Sequence, residues 1–290
     1  MDARDRPSGA FAPPPAADRP AIRVRGVSRR FVTPAGGDYR ALQDVSFDVP
    51  RRAFVSIVGP TGCGKSTLLN LLAGLLTPTA GTIEIDGAPL AGLNRRATYM
   101  FQQDALLPWK SVLDNVALGL LFAGRPRAEA RHAARAWLER IGLAAFGDRY
   151  PAQLSGGMRK RAAMAQNWVL ERDILLMDEP FSALDVHTRQ AMESELLALW
   201  TGSARTVVFV THDLDEAISL ADEVLVISAG PASRVVQRHV VPLARPRDLL
   251  DLRNHPAFND LYATIWADLR REVARSRERD RRHGAGGAHD

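Results

Sequence analysis

The chain alternates short apolar runs with longer segments whose apolar residues recur at helical spacing. The apolar runs predict β-strands at 22–27, 41–49, 54–58, 82–85, 97–101, 174–177, 206–210 and 224–227. The later runs are apolar at nearly every position, a composition typical of strands that are buried on both faces. We therefore expect an α/β fold with a mainly parallel core sheet, preceded by a more antiparallel β-region.

Helical patterns connect these strands. They fall at 68–73, 112–121, 127–141, 158–170, 186–199, 213–220 and 256–271. Ser111 followed by Asp114 is an N-terminal capping pattern for the second of these helices. Residues from about 103 to 165 interrupt the alternation of strands and helices, and they predict an inserted α-helical subdomain.

The two ends of the chain differ in composition from the main domain, which we place at 21–245. Residues 1–20 are rich in Pro, Ala and Gly and predict a disordered extension. Residues 246–271 predict a C-terminal helical extension, and residues 272–290 predict a basic disordered tail.

Charge and cysteine content narrow the function. The formal net charge is +5, but the seven arginines and four acidic residues of 270–290 contribute +3 of it. The main domain is therefore close to neutral, and we predict no nucleic-acid partner. The single cysteine, Cys63, excludes an internal disulfide and fits a reducing cytosol. The sequence predicts neither a secretory signal nor a membrane span.

The sequence GPTGCGKST follows strand 54–58 and fits the pattern G-x-x-x-x-G-K-[ST]. Glycines let backbone N–H groups surround phosphate oxygens, and the following helix adds the positive end of its dipole. We predict that Lys65 contacts the β- and γ-phosphates and that the Ser66 hydroxyl binds Mg²⁺. The predicted nucleotide-binding residues are Gly59, Pro60, Thr61, Gly62, Cys63, Gly64, Lys65, Ser66 and Thr67. This loop predicts that the chain binds a nucleoside triphosphate.

The apolar strand at 174–177 ends in two carboxylates. A carboxylate at this position holds Mg²⁺ in P-loop enzymes, and we predict this role for Asp178. Glu179 points the other way along the strand, toward the γ-phosphate, where it can orient and deprotonate an attacking water. The alternative is a solvated strand end without a catalytic role.

A second candidate anion site lies at 154–158, which reads LSGGM and leads into a helix. Ser155 is a capping residue type, and Gly156 and Gly157 leave backbone N–H groups free at the helix start. The segment resembles the signature motif of ATP-binding cassette (ABC) ATPases, with Met158 where that family most often has Gln. Two phosphate sites in one chain make sense if the second closes over the ATP held by another copy.

The resemblance covers most of residues 22–230 and implies roles for further residues. Gln102 matches the glutamine that contacts Mg²⁺ and the attacking water, with the adjacent Gln103 as the alternative. Asp185 ends the motif SALD, which crosses the dimer interface in this family. His212 matches the switch histidine that bonds the γ-phosphate.

The adenine contact is left open between two aromatic residues. Phe31 fits the ring that stacks on the base, and Tyr39 is the second candidate. The implied catalytic residues are Glu179, His212, Gln102 and Lys65, and the implied metal ligands are Ser66, Gln102 and Asp178.

The combination of FQQDALLPW and LSGGMRKR is similar to ATPases of bacterial uptake systems for nitrate, sulfonate, taurine or bicarbonate. This resemblance implies a homodimer of ATPase subunits on the cytoplasmic face of the membrane. It also implies two transmembrane permease subunits and a periplasmic or lipid-anchored substrate-binding protein. The apolar loop at 105–110 would receive a coupling helix of the permease, or it packs the helical subdomain.

Two rival functions remain. A soluble ABC ATPase that acts on nucleic acid or ribosomes would share the same motifs, although such proteins usually carry long insertions or two cassettes. A P-loop kinase would share the phosphate loop but would lack the signature, the SALD motif and the switch histidine. The ABC transporter interpretation accounts for all of these motifs.

Overall fold

The computed structural model of the chain describes residues 19–33, 36–249 and 251–285, with side chains described as far as residue 276. Of the predicted disordered extension at 1–20, only the last two residues fall within the described part.

The strands are β1 (Ile22–Val32), β2 (Asp38–Val49), β3 (Phe54–Val58), β4 (Ala80–Ile85), β5 (Ala88–Pro89), β6 (Ala97–Met100), β7 (Ile174–Asp178), β8 (Thr206–Val210), β9 (Glu223–Ile227) and β10 (Val235–Val240). The α-helices are α1 (Lys65–Leu72), α2 (Val112–Phe122), α3 (Arg127–Arg140), α4 (Gly156–Trp168), α5 (Val186–Thr201), α6 (Leu214–Leu220) and α7 (Pro256–Ala285). Short 3₁₀ helices occupy Ala144–Phe146, Pro151–Gln153 and Leu252–Asn254.

The core sheet has six strands in the order β10-β9-β3-β8-β7-β6. Every neighbouring pair is parallel except β9 with β10. The strands β3, β7, β8 and β9 are buried at every position, which agrees with their largely apolar sequences. The parallel core is confirmed, whereas the antiparallel edge strand β10 was not predicted, because its sequence VVQRHV is polar at its centre.

A second sheet of four antiparallel strands, in the order β2-β1-β4-β5, confirms the predicted antiparallel region. The hairpin between β4 and β5 turns at Asp86 and Gly87, which both have positive φ angles, 53° and 81°. Asp-Gly is the dipeptide that favours such a turn. This sheet and the core sheet share one apolar core, which includes Ile22, Phe47 and Leu68.

The inserted helical subdomain is confirmed as well. Helices α2, α3 and α4 pack around their own apolar cluster, which includes Val116, Ala134 and Leu138. The predicted cap of α2 is present, since the Ser111 hydroxyl accepts a hydrogen bond of 3.2 Å from the Asp114 N–H. This subdomain carries the LSGGM segment at the start of α4.

The C-terminal helix begins where predicted, at Pro256, but it continues past the predicted end at 271 and reaches Ala285. The predicted boundary of a disordered tail at 272 is therefore wrong at its beginning. The physical reason is a contact at that boundary: Glu272 is buried, and its carboxylate accepts a hydrogen bond of 3.3 Å from the N–H of Ala229. None of the described helices combines the length and apolar character needed to cross a bilayer.

Candidate active site

The phosphate loop connects the buried strand β3 to helix α1, as the sequence predicts. Gly62 and Gly64 have φ angles of 77° and 91°, in the left-handed region that favours glycine. A Cβ atom at Gly59 would lie 2.9 Å from the Ile227 carbonyl oxygen, so the loop approaches β9 too closely for a side chain. The backbone path of the loop therefore requires these glycines. The same path brings the N-terminus of α1 to the end of the loop.

Lys65 and Ser66 begin α1, and both already have polar partners within the protomer. The Lys65 side chain is buried, and its ammonium donates to the carbonyl oxygens of Gly59 (2.9 Å) and Pro60 (3.2 Å). The Ser66 hydroxyl donates to an Asp178 carboxylate oxygen at 3.1 Å. Cys63, in contrast, is buried with its side chain in the apolar core, so it can contribute only backbone groups to a ligand.

Asp178 ends strand β7 beside α1. Burial raises the pKa of its carboxyl group, and hydrogen bonds from Ser66 and Tyr99 (3.2 Å) oppose that rise by stabilising the ionised form. The paired hydroxyl and carboxylate oxygens are ligands that Mg²⁺ prefers, and they fit a site that is completed by phosphate oxygens and water. The described residues form no cluster of three or more Asp, Glu, His or Cys side chains that could hold a metal ion.

Glu179 is contacted from two sides by the predicted catalytic residues. Its carboxylate lies 3.0 Å from Nδ1 of His212 and accepts a hydrogen bond of 3.4 Å from the Gln102 amide. The Glu179 backbone has a φ angle of 43°, which is uncommon for a non-glycine residue and turns the chain sharply after β7. Three separate chain segments therefore meet at one carboxylate.

These residues line one open groove of about 470 Å³ at the carboxyl ends of β3, β6, β7 and β8. Its lining residues are Thr61, Gly62, Gly64, Lys65, Ser66, Thr67, Gln102, Glu179 and His212. The structure thus brings the predicted phosphate loop together with Gln102 and Glu179, which were predicted to act on the attacking water, and with His212, which was predicted to bond the γ-phosphate.

The LSGGM segment is not part of that groove, since none of the residues lining it belongs to 154–158. The Ser155 hydroxyl instead accepts a hydrogen bond of 3.2 Å from the Met158 N–H and caps its own helix. Asp185 caps α5 in the same way through the Thr188 N–H at 3.0 Å, and this hydrogen bond lowers the pKa of Asp185.

The two candidate adenine contacts lie across from each other on β1 and β2, where Phe31 pairs with Tyr39. The Arg29 guanidinium lies 4.7 Å from the centre of the Phe31 ring, which is half-buried. Neither ring lines the groove, and the choice between them stays a prediction.

Two contributors to the site were not predicted. The Tyr99 hydroxyl holds Asp178, and its place three residues before Gln102 is the only sequence signal for it. Lys160 is buried in α4, where its ammonium donates to the Gln102 carbonyl oxygen at 2.6 Å and lies 3.2 Å from the Asp104 carboxylate. This lysine attaches the loop after β6 to the signature helix, and the sequence motif does not indicate it.

A parallel sheet, a glycine-rich loop before α1 and carboxylates at the end of β7 define a P-loop nucleoside triphosphatase. The family model for ABC transporters matches residues 42–182 of the chain. This match covers the phosphate loop, the helical subdomain, the signature segment and Glu179.

Individual relatives extend the match beyond this region. The taurine import ATP-binding protein TauB of Rhizobium johnstonii is 44% identical over 252 residues, which is 86% of this chain and 96% of that protein. The nitrate import ATP-binding protein NrtC of Synechococcus elongatus is 39% identical over 83% of this chain and 37% of its own. The dimeric structure of MJ0796, a bacterial ABC transporter cassette, superposes with a TM-score of 0.68 at 31% identity, over 77% of this chain and 99% of that one.

The chain therefore belongs to the ATP-binding proteins of ABC transporters. It binds ATP and hydrolyses it to power transport. The predicted family, fold class and ATPase activity are confirmed.

Proposed function

We propose that this chain is the ATPase subunit of an importer for a small anion of the taurine, sulfonate, nitrate or bicarbonate type. The observation that carries the proposal is the 44% identity to TauB over 86% of this chain and 96% of TauB. The similarity to NrtC supports the same class of substrate. The cassette fold does not itself determine which substrate is transported. In this proposal the substrate is selected by subunits outside this chain.

The working form in this proposal is a homodimer on the cytoplasmic face of the membrane, bound to two permease subunits. A periplasmic or lipid-anchored protein delivers the substrate. Two exposed aromatic side chains in the segment after β6 support permease docking, since Trp109 is 71% exposed and Phe101 44% exposed. In the alternative, the 105–110 loop only packs the helical subdomain. That alternative explains why Leu106 is buried, but it does not explain why Trp109 is exposed.

Hydrolysis follows from the groove together with a signature segment supplied by the second protomer. Glu179 accepts a proton from the attacking water, while Gln102 and His212 hold its carboxylate in place. Lys65 exchanges its carbonyl partners for phosphate oxygens and stabilises the charge on the transferred group. Ser66 and Asp178 would hold Mg²⁺, which would offset the negative charge of the phosphates. Ser155 and the N–H groups of α4 complete the site from the partner.

Growth of the source organism on defined nutrients tests the transport function. A strain that lacks this chain should lose growth on one small anion as sole source of sulfur, nitrogen or carbon, and should lose uptake of that labelled anion. The wild-type chain should restore both. Glu179→Gln should restore neither, although the purified variant should still bind ATP and form a nucleotide-trapped dimer. Normal uptake of taurine, other sulfonates, nitrate and bicarbonate by the deletion strain would contradict the proposal.

A further inference from the structure

Arg189, in the first turn of α5, contacts two loops that flank the catalytic groove. Its Nη2 donates to the Leu184 carbonyl oxygen at 3.2 Å, within the SALD segment at 182–185. Its Nη1 donates to the Asp213 carboxylate at 3.0 Å, and its Nε lies 3.7 Å from the Glu216 carboxylate. One guanidinium therefore joins the SALD segment to the segment that follows His212.

The two carboxylates that Arg189 contacts fix the backbone on both sides of His212. The Thr211 hydroxyl donates to buried Glu216 at 2.5 Å and accepts a hydrogen bond of 3.0 Å from the Asp213 N–H. The other oxygen of Asp213 caps α6 by accepting from the Asp215 N–H at 2.9 Å. His212 lies between these anchored residues, so its ring position depends on them.

Removal of Arg189 would leave its two carboxylate partners without their cation. Burial raises the pKa of Glu216 to about 7, and Arg189 favours the ionised form. A buried carboxylate that loses its cation either protonates or moves toward water, and both responses weaken the hydrogen bonds around it. The Ser182 hydroxyl donates to the Glu179 carbonyl oxygen at 3.0 Å, so the SALD segment is also hydrogen-bonded to the backbone of Glu179.

We propose that Arg189 is a positioning residue for ATP hydrolysis, which sets the place of His212 against Glu179 by tying the switch-histidine loop to the SALD segment. This inference rests on the roles proposed above for Glu179 and His212. The SALD segment is expected at the dimer interface. Arg189 therefore also connects the expected contact with the partner protomer to the switch histidine of its own protomer.

Arg189→Met tests the proposal, because methionine keeps the length of the aliphatic stem and removes the guanidinium. We expect kcat for ATP to fall about ten- to a hundredfold, with KM changed by less than about twofold, because misplacing one group at a reacting centre costs that much. The ring ¹H–¹³C signal of His212, assigned with His212→Ala in histidine-labelled protein, should move. Arg189→Lys should recover part of kcat, since an ammonium reaches one carboxylate but not all three acceptors.

Arg238→Met is the matched control. Arg238 is a half-exposed arginine that donates to buried Glu223 at 2.7 Å, on β10 and away from the groove. This variant should keep kcat and the His212 signal. An unmoved His212 signal in Arg189→Met, even with a lowered kcat, would overturn the proposal, because loss of folded protein lowers activity without changing the spectrum. Wild-type kcat in Arg189→Met would overturn it too. If Glu179→Gln hydrolyses ATP normally while the His212 signal moves, the assigned base fails and the Arg189 linkage stands.

Discussion

The phosphate loop at 59–67 and the signature segment at 154–158 have the same local chemistry in very different surroundings. Both place a hydroxyl and glycines at the start of a helix, which is an arrangement that binds phosphate. The first lies between buried β3 and α1, where Lys65 and Ser66 have polar partners and Asp178 is adjacent. The second lies at the start of α4, where the Ser155 hydroxyl caps its own helix.

This difference agrees with the proposal that each protomer supplies half of a catalytic site. The groove formed by the phosphate loop already contains the catalytic carboxylate and its two partners, but it contains no residue of the signature segment. In that proposal an isolated protomer can hold ATP, whereas complete enclosure of the γ-phosphate requires a second copy. Substitutions that damage one region and leave the other intact test this difference directly.

The largest expected effects on ATP binding and turnover come from two variants, each of which damages one of the two regions. Lys65→Ala should lose ATP affinity, because it removes the charge that meets the phosphates. Ser155→Arg should keep protomer ATP affinity but reduce turnover at least about a hundredfold, since the arginine side chain blocks the site of the partner. Phosphate release and binding of a fluorescent ATP analogue separate these outcomes.

Mixing the two variants distinguishes shared sites from separate ones. In a mixed dimer one site carries both substitutions, and the other pairs an intact phosphate loop with an intact signature segment. Turnover should therefore reappear in the mixture. A mixture as inactive as each variant alone would show either that the protomers do not share sites or that both sites must act together. A covalently linked dimer with one wild-type half resolves those two outcomes.

The sequence predicted the phosphate loop region almost completely and the surroundings of the signature segment only in part. The motif at 59–67, its strand and its helix are local in sequence, so periodicity and glycine spacing suffice to place them. The contacts of Tyr99 with Asp178 and of Lys160 with Gln102 join residues 79 and 58 positions apart. Such contacts depend on strand order and helix packing, which a single sequence does not specify.

The burial of Glu272 and the pairing of β10 with β9 were not predicted, for a related reason. Residues from 272 onward are rich in arginine and acidic residues, which favours a solvated tail. Glu272 is buried all the same, because the path of α7 brings it to the Ala229 N–H. The polar strand β10 became an edge strand beside β9 for the same kind of reason, since its partner rather than its composition determined its structure.

The helices α1 and α5 differ in the kind of ionisable group that they bury, and the buried carboxylate of α5 makes the stability of the protein depend on pH. The buried side chains of α1 are leucines and Lys65, whereas α5, which follows the SALD segment, buries Glu193. Burial, followed by the nearby carboxylates of Glu216 and Asp213, raises the pKa of Glu193 from 4.5 to about 8. Between those values the folded state holds a proton that the unfolded state has lost, so stability falls as pH rises from 4.5 to 8.

Glu193→Gln should therefore stabilise the protein at pH 9 and have little effect at pH 5. One pKa unit corresponds to about 1.4 kcal/mol, so a rise from 4.5 to about 8 sets an upper limit of about 5 kcal/mol on the gain at pH 9. Thermal unfolding at both pH values measures it, with a midpoint shift of roughly 2–4 °C per kcal/mol for a chain of this size. Glu195→Gln, on the same helix with its partner Arg161 at 3.4 Å, is the comparison variant and should show a smaller shift. Equal shifts of Glu193→Gln at pH 5 and pH 9 would contradict the raised pKa.

The smallest expected effect is a difference in stability between alanine variants of the two glycines in the signature segment. A Cβ atom at Gly157 would lie 2.8 Å from the Thr188 methyl group, whereas one at Gly156 would find only the end of Arg159, at 3.9 Å. Gly157→Ala should therefore destabilise the protomer by about 1 kcal/mol through overpacking, and Gly156→Ala should leave its unfolding midpoint unchanged. Thr188→Ser removes the methyl group, so the double variant Gly157→Ala with Thr188→Ser should regain most of the loss. If both alanine variants unfold at the same temperature, the signature segment is not packed against α5, and the contrast with the tightly packed phosphate loop becomes even larger.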